Sequence, residues 1–313
     1  MTHAPTTWSP AGTRALPSPA ARTVATPGPE PERELEEIEE LTAKEQALLG
    51  ILATWPAVIV AYSGGVDSAY LAWAATRVLG RQALCVTADS PSYPGRHRSL
   101  ALQIATDFGL AHEIIRTNEM ARPEYRANPA NRCYYCKHEL YTHLAAIARE
   151  RGIPAIADGS NADDRGDYRP GRQAAKEFGV VSPLDAVGLT KAEIRELSHR
   201  AGLPTWDEPA SACLSSRIPY FSEVTDTKLR MIERAESVLR EQGFRVCRVR
   251  HHGDENPIAR LEIGPDEMAR ALQPEVADVI DRALRALGYR HVTLDLRGYR
   301  LGSLNDALRL RPV

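Results

Sequence analysis

The run Ser63-Gly64-Gly65-Val66-Asp67-Ser68 lies between a short apolar segment and a helical one, an arrangement that suits a phosphate group. The two glycines allow the backbone to turn tightly and to point its N–H groups at an anion. A helix that begins directly after the turn adds the partial positive charge of its N-terminus. The spacings of a Walker A loop and of a dinucleotide-binding fingerprint are absent. The run predicts a phosphate loop of another kind, although a plain glycine turn with a helix cap is also common.

Within and near this loop, the candidate nucleotide-binding residues are Ser63, Gly64, Gly65, Asp67, Ser68 and Asp89. Asp67 is a candidate ligand of Mg²⁺, a hard cation that prefers carboxylate and phosphate oxygens. Asp89 ends the second apolar segment, and the carboxyl ends of parallel strands form the edge where open α/β sheets bind ligands. Asp89 is equally compatible with an ordinary strand end.

Five cysteines fall into two groups. Cys85 and Cys247 lie inside apolar strand patterns, where a free cysteine is usually a small core residue. Cys133 and Cys136 have a C-x-x-C spacing, and Cys213 follows in a proline-containing connector. We expect these last three on loops or helix starts at the carboxyl edge of the sheet.

Four interpretations of these three thiols are open. They are a buried structural trio, a redox dithiol at Cys133 and Cys136, a zinc site with His138 as the nearest fourth ligand, or a [4Fe–4S] cluster. A cluster held by three thiolates leaves one iron open to an exogenous ligand such as sulfide. We favour the cluster because Cys133, Cys136 and Cys213 satisfy it without a fourth ligand.

Charged residues alternate along two strands predicted near the C-terminus. Arg248 and Arg250 share one face of the first strand, and Arg260 and Glu262 share one face of the next. Guanidinium groups bind phosphate and carboxylate through two parallel hydrogen bonds. These four residues are therefore candidates for substrate binding, with solvated strand charges as the alternative.

Composition narrows the class of protein. Across 313 residues the net charge is −2, which provides no global cationic field and argues against a nucleic-acid partner. No apolar run approaches the roughly 20 residues that span a bilayer, so we expect no membrane segment. Five cysteines are too few for a disulfide scaffold, and no secretory leader opens the sequence, so we expect a cytoplasmic protein.

Short apolar segments alternate with helical ones after a proline-rich start. The first is Val58 to Tyr62 and the fifth Val180 to Pro183, and such alternation is typical of a doubly wound parallel sheet in an α/β fold. A smaller α+β domain follows. The predicted divisions are a disordered tail over 1–33, a phosphate-loop domain with a leading helix over 34–205, a connector carrying Cys213 over 206–224, and a substrate-binding domain over 225–313.

Several runs together resemble one family. They are Ser63 to Ser68, Asn131-Arg132-Cys133-Tyr134-Tyr135-Cys136-Lys137, Asp158-Gly159-Ser160-Asn161-Ala162-Asp163-Asp164, Tyr168-Arg169-Pro170-Gly171, Ser182-Pro183-Leu184, Leu189-Thr190-Lys191-Ala192-Glu193-Ile194-Arg195 and Cys213-Leu214-Ser215-Ser216-Arg217-Ile218-Pro219-Tyr220. The first resembles the PP-loop of the adenine nucleotide α-hydrolase, or ATP pyrophosphatase, superfamily. The whole set closely resembles the LarE family, which are ATP-dependent sulfur transferases of nickel-pincer cofactor biosynthesis.

The resemblance implies a HUP-like PP-loop fold and a specific reaction. ATP would adenylylate the carboxylates of pyridinium-3,5-biscarboxylic acid mononucleotide, which then become thiocarboxylates. In one branch of the family the cysteine matching Cys213 gives up its own sulfur and becomes dehydroalanine. In the three-cysteine branch, which this chain resembles through Cys133 and Cys136, a cluster is thought to deliver an added sulfide. The sulfide donor is not indicated.

The resemblance also implies that arginines and a glutamate placed like those at 248, 250, 260 and 262 contact the mononucleotide, and that the chain forms homo-oligomers. The sequence of this chain departs from the family pattern at Phe221, where the family is expected to have glycine. Two rival functions remain, a tRNA thiolase of the same superfamily and a non-catalytic nucleotide- or metal-binding module. The first needs a basic RNA-binding surface, and the second predicts no release of pyrophosphate. Amidating synthetases are a further possibility, but no glutaminase-like segment is present.

Overall fold

The structure is a computed structural model that describes residues 30–166, 170–209, 212–300 and 302–303. The predicted disordered tail lies outside the described residues up to residue 29, and Tyr168 and Arg169 also lie outside them. The chain divides into two compact units, Met1–Glu40 and Leu41–Val313, so both sheets belong to the second unit. The first unit contributes the start of a helix that begins at Glu30, earlier than predicted. The four-part division made from the sequence stays a prediction.

Four parallel strands form the larger sheet. They are β1 (Val58–Ala61), β2 (Ala83–Asp89), β3 (Ala111–Arg116) and β4 (Ala155–Ala157). Their order is β3-β2-β1-β4. The chain moves outward from β1 to β3 and then returns to the other side of β1. The carboxyl ends of β1 and β4 therefore flank the switch point where open sheets bind ligands.

The prediction of a fifth strand at Val180 to Pro183 was wrong. Val181 forms a single parallel bridge with Ala157, and its N–H donates to the carbonyl of Ile156 at 2.9 Å. A helix then begins at Pro183, whose ring has no N–H for a ladder and suits a first helical position.

Alternate residues of β1 pack into two different cores. Val60 packs with Ile104 on one face, and Ile59 packs with Leu144 on the other. Strands that are apolar on both faces need helices on both sides. The sheet is thus covered on both faces, which confirms the predicted α/β fold class.

Among the described helices, one joins β1 to β2, one joins β2 to β3 and two lie between β3 and β4. The described helices are α1 (Glu30–Ala53), α2 (Val66–Leu79), α3 (Gly95–Asp107), α4 (Pro123–Arg126), α5 (Arg132–Arg151), α6 (Gly171–Glu177), α7 (Pro183–Ala186), α8 (Lys191–Arg200), α9 (Asp226–Glu241), α10 (Met268–Ala271) and α11 (Pro274–Ala286). Helix α5 begins at Arg132, so Cys133 and Cys136 lie in its first two turns, at a helix start and not on a loop. No helix in the described part of the chain is long and apolar enough to cross a membrane.

A smaller mixed sheet follows α9. It consists of β5 (Cys247–His252), β6 (Ile258–Ile263) and β7 (His291–Leu294) in the order β5-β6-β7. Strands β5 and β6 are antiparallel, whereas β6 and β7 are parallel. Buried residues of α9 and α11, among them Leu239 and Leu284, form one core with this sheet. The second, smaller sheet with helices packed on it that the sequence predicted is therefore present, in the same compact unit as the larger sheet.

Candidate active site

The phosphate loop turns sharply between β1 and α2. Gly64 has a φ of 67°, and a Cβ built on it would lie 2.8 Å from the Cβ of Ala101. The backbone N–H of Ser63 donates to Oγ of Ser68 at 3.1 Å, and that hydroxyl also lies 3.1 Å from the carbonyl of Gly65. No side chain caps the helix at Gly65. The first N–H groups of α2 are therefore left to a ligand, as an anion site requires.

Asp67 has two partners that the sequence did not reveal. Lys191, the first residue of α8, forms an ion pair with its carboxylate, and Nδ2 of Asn161 donates to its Oδ1 at 3.1 Å. Lys191 is held in place because Thr190 and Glu193 form a capping box at the start of α8. An ammonium group thus stands beside the phosphate loop, where it can attract phosphate oxygens.

The end of β2 reaches the same loop. Asp89 pairs with Arg98, with Nη1 2.9 Å from Oδ2, and both side chains are partly exposed. In the turn that follows β2, the hydroxyl of Tyr93 donates to the carbonyl of Ser63 at 2.9 Å. Asp89 therefore lies at the predicted edge, already paired with an arginine.

The buried side chain of Arg132 is a neighbour of two of the three predicted thiols, Cys133 and Cys213. Its Nη1 donates to the carbonyl of Ser215 at 3.0 Å, and its charge lowers the pKa of Cys133. Burial lowers the pKa of Arg132, but the neighbouring Cys213 and Cys133 outweigh burial and raise it. One guanidinium thus faces both α5 and the turn that carries Cys213.

The thiols influence one another. Burial raises the pKa of Cys133, Arg132 lowers it and Cys213 raises it, with a net upward shift. The pKa of Cys136 is raised well above its usual range by burial, Glu119 and Cys213. Cys133 is nonetheless exposed, and Cys136 and Cys213 are half-buried. The three thiols are therefore accessible to solvent to different degrees.

The thiols can be compared with the sites that metals require. Among the described residues, no group of three or more His, Cys, Asp or Glu side chains could hold a metal ion. The prediction of a cluster therefore has no preformed metal cage to support it. A [4Fe–4S] cluster binds each cysteine through a different iron, so its ligands stand further apart than those of one ion. The donor set of Cys133, Cys136 and Cys213 fits a cluster in type and number, and the cluster stays a proposal.

A second arginine holds the turn that bears Cys213. Cys213 is the N-cap residue of the 3₁₀ turn Leu214–Arg217, and Nη1 of Arg217 donates to the carbonyls of Ala212 at 2.7 Å and Cys213 at 3.0 Å. The other side of the guanidinium pairs with Glu236 of α9. The position of Cys213 therefore depends on α9.

Arginines of the small sheet lie beside this turn. Nη1 of Arg250 donates to the carbonyl of Ser216 at 2.6 Å, and its Nη2 lies 2.8 Å from Oε2 of the buried Glu262. Nη1 of Arg260 lies 3.2 Å from the other oxygen of Glu262. Burial and the nearby Arg217 lower the pKa of Arg248. The four predicted residues are thus close together, and Nε of Arg250 is buried without a hydrogen-bond partner among the described residues.

Lys137 and Asp158 were missed as site residues. The ring of Tyr141 lies 5.3 Å from the ammonium of Lys137, and its hydroxyl donates to Asp158 at 2.8 Å. Tyr141 raises the pKa of Lys137 against burial, and Asp158 raises it further. Burial raises the pKa of Asp158, but Lys137 and the hydroxyl of Ser182 hold it below its usual range. Through Tyr141, these two charged residues connect the start of α5 to the end of β4, and no local sequence signal joins them.

Comparison with known proteins decides the family. No protein-family model matches the chain. An uncharacterized protein of Synechocystis is 46% identical over 250 residues, which is 80% of this chain and 92% of the relative. The pyridinium-3,5-bisthiocarboxylic acid mononucleotide synthase of Lactiplantibacillus plantarum is 35% identical over 269 residues, which is 86% of this chain and 96% of the synthase. The chain belongs to the LarE family.

This LarE-family chain also has a more distant relative. The glutamine-hydrolyzing GMP synthase of Aeropyrum pernix is 24% identical over 204 residues, which is 59% of this chain and 39% of the synthase. The identity with the Lactiplantibacillus synthase confirms the predicted resemblance to the LarE family. The assignment to the cluster-bearing branch of the family stays a prediction. The roles of the individual site residues also stay predictions.

Proposed function

We propose that this chain is an ATP-dependent sulfur transferase of nickel-pincer cofactor biosynthesis. It would adenylylate each carboxylate of pyridinium-3,5-biscarboxylic acid mononucleotide and convert it to a thiocarboxylate, with release of AMP and pyrophosphate. The observation that carries the proposal is the product named for the Lactiplantibacillus relative, a bisthiocarboxylic acid mononucleotide. Such a product requires sulfur to replace a carboxylate oxygen twice.

The phosphate loop would serve the activation step. A carboxylate has no good leaving group, and transfer of AMP to one of its oxygens supplies one. The substrate oxygen attacks the α-phosphorus of ATP, the bond between the α-phosphorus and the bridging oxygen breaks, and pyrophosphate leaves. The uncapped N–H groups at the start of α2 and the ammonium of Lys191 would stabilise the charge that develops on the departing group.

Asp67 is the proposed protein ligand of Mg²⁺. Mg²⁺ is usually bound by one or two carboxylates together with phosphate oxygens and water, so one aspartate beside the phosphate loop fits this cation. When bound, Mg²⁺ would neutralise phosphate charge. Lys191 would then be released from Asp67 to contact the phosphates.

The thiol site would serve the sulfur step. Cys213 stands in a turn fixed by Arg217, and Arg132 faces both Cys213 and Cys133. The charge of Arg132 lowers the pKa of Cys133 and so opposes in part the effect of burial. Cys133, Cys136 and Cys213 would hold a [4Fe–4S] cluster, whose open iron would offer a place for sulfide.

Substrate binding would fall to the small sheet. Arg248, Arg250 and Arg260 provide guanidinium groups, while Glu262 fixes two of them by ion pairs. The carbonyl of Ser216 ties Arg250 to the turn with Cys213. A phosphate bound by these arginines would bring the rest of the mononucleotide toward the thiols.

The test is to incubate the full-length protein with ATP, Mg²⁺ and the biscarboxylic acid mononucleotide, and to measure pyrophosphate and thiocarboxylate. We expect both products from the wild type, and pyrophosphate without thiocarboxylate from Cys213→Ala. Cys247→Ala, which changes a buried thiol of β5, is the matched control and should retain both products. Absence of pyrophosphate from the wild type would refute the proposal.

A second measurement separates the two possible origins of the sulfur. After anaerobic purification, the cluster predicts iron and acid-labile sulfide, both lost in Cys133→Ala and Cys136→Ala. Iron-free protein that converts Cys213 to dehydroalanine in a single turnover would overturn the cluster. That result would leave the sulfur transfer intact.

A further inference from the structure

Glu119 is a buried carboxylate that the proposed chemistry does not use. It is 1% exposed and lies in the 3₁₀ turn Glu119–Ala121. Its Oε1 accepts a hydrogen bond from Oγ of Ser92 at 2.6 Å, and Oγ1 of Thr117 lies 3.4 Å from Oε2. Within the described part of the chain it forms no ion pair. Burial of an unpaired carboxylate is costly, so this side chain calls for a functional explanation.

Ser92 connects Glu119 to the sulfur site. Its side chain is held by Glu119, and its carbonyl accepts the backbone N–H of Leu214 at 2.8 Å. Leu214 follows Cys213 directly and begins the 3₁₀ turn. Ser92 is itself 2% exposed, so it has little freedom to move when both bonds are made. Two hydrogen bonds therefore separate the carboxylate of Glu119 from the residue next to Cys213.

The neighbouring residue connects the same segment to the phosphate loop. The hydroxyl of Tyr93 donates to the carbonyl of Ser63 at 2.9 Å. Ser92 and Tyr93 thus contact the two parts of the proposed site at once, one through a carbonyl and the other through a hydroxyl. The spacing between the adenylylation site and the sulfur-bearing turn depends on how rigidly this dipeptide is held.

We propose that Glu119 is a positioning residue for the sulfur step, which acts by fixing Ser92 and through it the turn of Cys213. This inference rests on the proposed function. Glu119 touches neither ATP nor the transferred sulfur. It would keep Cys213 at the right distance from the activated carboxylate, because misplacement of a reacting group by a small distance lowers the rate strongly.

The test compares variants of the full-length protein. Glu119→Ala removes the acceptor, Ser92→Ala removes the donor but keeps the carbonyl that binds Leu214, and Glu119→Gln removes the charge but keeps an oxygen acceptor. Glu113→Gln is the matched control, because Glu113 is an exposed glutamate of β3 that pairs with Arg151. For each variant the amount of thiocarboxylate formed per pyrophosphate released is measured, together with the KM for ATP and thermal unfolding.

We expect Glu119→Ala and Ser92→Ala to lower thiocarboxylate per pyrophosphate by about 10- to 100-fold, the usual effect of losing a hydrogen bond to a charged group. The KM for ATP should change less than about threefold, on the general expectation that a positioning residue affects the step it positions. Glu119→Gln should restore most of the ratio, and Glu113→Gln should match the wild type. Both alanine changes break the same hydrogen bond, the one between Ser92 and Glu119. The double variant should therefore form as much thiocarboxylate per pyrophosphate as Glu119→Ala alone.

Three results would overturn the inference. They are an unchanged ratio in both alanine variants, equal losses of pyrophosphate and thiocarboxylate, or additive effects in the double variant. Alkylation of Cys213 by iodoacetamide tests the same contact without substrate. Glu119→Ala and Ser92→Ala should change its rate about tenfold while Glu113→Gln does not. If wild-type protein releases no pyrophosphate, the proposed function fails, and the alkylation rates still decide whether Glu119 positions Cys213.

Discussion

Arg217 and Glu236 form an ion pair that is shielded from solvent on both sides. Nε lies 2.8 Å from Oε1, and the two side chains are 2% and 0% exposed. Nη2 also donates to Oε2 at 3.2 Å, so the pair is bidentate. Burial raises the pKa of Glu236, but Arg217 outweighs burial and holds the pKa below its usual range. Through Arg217, this pair fixes the carbonyl of Cys213 relative to α9.

Removal of one partner of this ion pair should therefore lower the free energy of unfolding strongly. We expect Glu236→Ala to lower the free energy of unfolding by about 3–5 kcal/mol, because it leaves the guanidinium of Arg217 buried without its carboxylate. Replacement of both partners by apolar residues, Arg217→Met with Glu236→Leu, should cost less than Glu236→Ala alone. Urea unfolding measures the change in free energy for the single and the double variant. The control is Glu241→Ala, at an exposed position of α9. A loss below about 1 kcal/mol in Glu236→Ala would contradict the burial argument.

Local signals predicted much of the site. The phosphate loop was predictable because the glycines, the preceding strand and the following helix are adjacent in the chain. Alternation of strands and helices likewise predicted the parallel sheet. The contacts of Asp67 with Lys191 were not predictable, because 124 residues separate the two and neither residue type is unusual where it occurs.

The sequence does not predict where a helix begins when residues distant in the chain hold its first turn. The sequence left Cys133 and Cys136 on a loop or at a helix start, and in the structure both lie at the start of α5, which begins at Arg132. Its guanidinium is tied to Ser215 across a separation of 83 residues, which secures the first turn. Glu119 gave no signal at all, because a single glutamate in a polar stretch shows its burial only in the folded chain.

The second prediction concerns Gly64. Gly64→Ala should lower the free energy of unfolding by more than the about 1–2 kcal/mol that a left-handed backbone costs an L-residue, since the new Cβ would lie 2.8 Å from that of Ala101. Gly152→Ala isolates the backbone cost, because Gly152 ends α5 in the left-handed conformation, with a φ of 64° and a ψ of 31°, and has nothing within 4 Å of its added Cβ. We also expect Gly64→Ala to reduce pyrophosphate release, and Gly152→Ala to preserve it. Equal losses of stability in the two glycine variants would show that α3 moves away from the added Cβ at no cost.

The third prediction concerns pH. Burial and the nearby Lys228 lower the pKa of His251 from 6.5 to about 4. Between these values the unfolded chain binds a proton that the folded chain does not, so stability falls as the pH drops from about 6.5 to about 4. The full shift corresponds to on the order of 3 kcal/mol.

Urea unfolding at several pH values measures this loss. His251→Asn should flatten the decline, although His97, whose pKa burial and Arg96 also lower to about 4, leaves part of it. His143→Gln, on an exposed position of α5, is the control and should leave the slope unchanged. A wild-type free energy of unfolding that stays constant over this range would show that both histidines remain hydrated.

The last prediction concerns Phe221, which has a φ of 68° although it is not glycine. The residue is 52% exposed, so removal of its ring gives up little buried apolar surface. Phe221→Gly should raise the free energy of unfolding by about 1 kcal/mol, because relief of the left-handed strain exceeds the added freedom of glycine in the unfolded chain. Phe221→Ala keeps the strain and should give no such gain.

Thermal and urea unfolding of these two variants, with sulfur transfer measured in parallel, would test the point. The backbone N–H of Phe221 donates to the carbonyl of the buried Asn128 at 2.9 Å, and glycine keeps that bond. Asn128 in turn donates to the carbonyl of Pro219 at 2.7 Å, so the loop after the turn of Cys213 stays anchored. We therefore expect sulfur transfer by Phe221→Gly to match the wild type. A loss of stability in this variant would mean that contacts of the ring contribute more than the backbone strain costs.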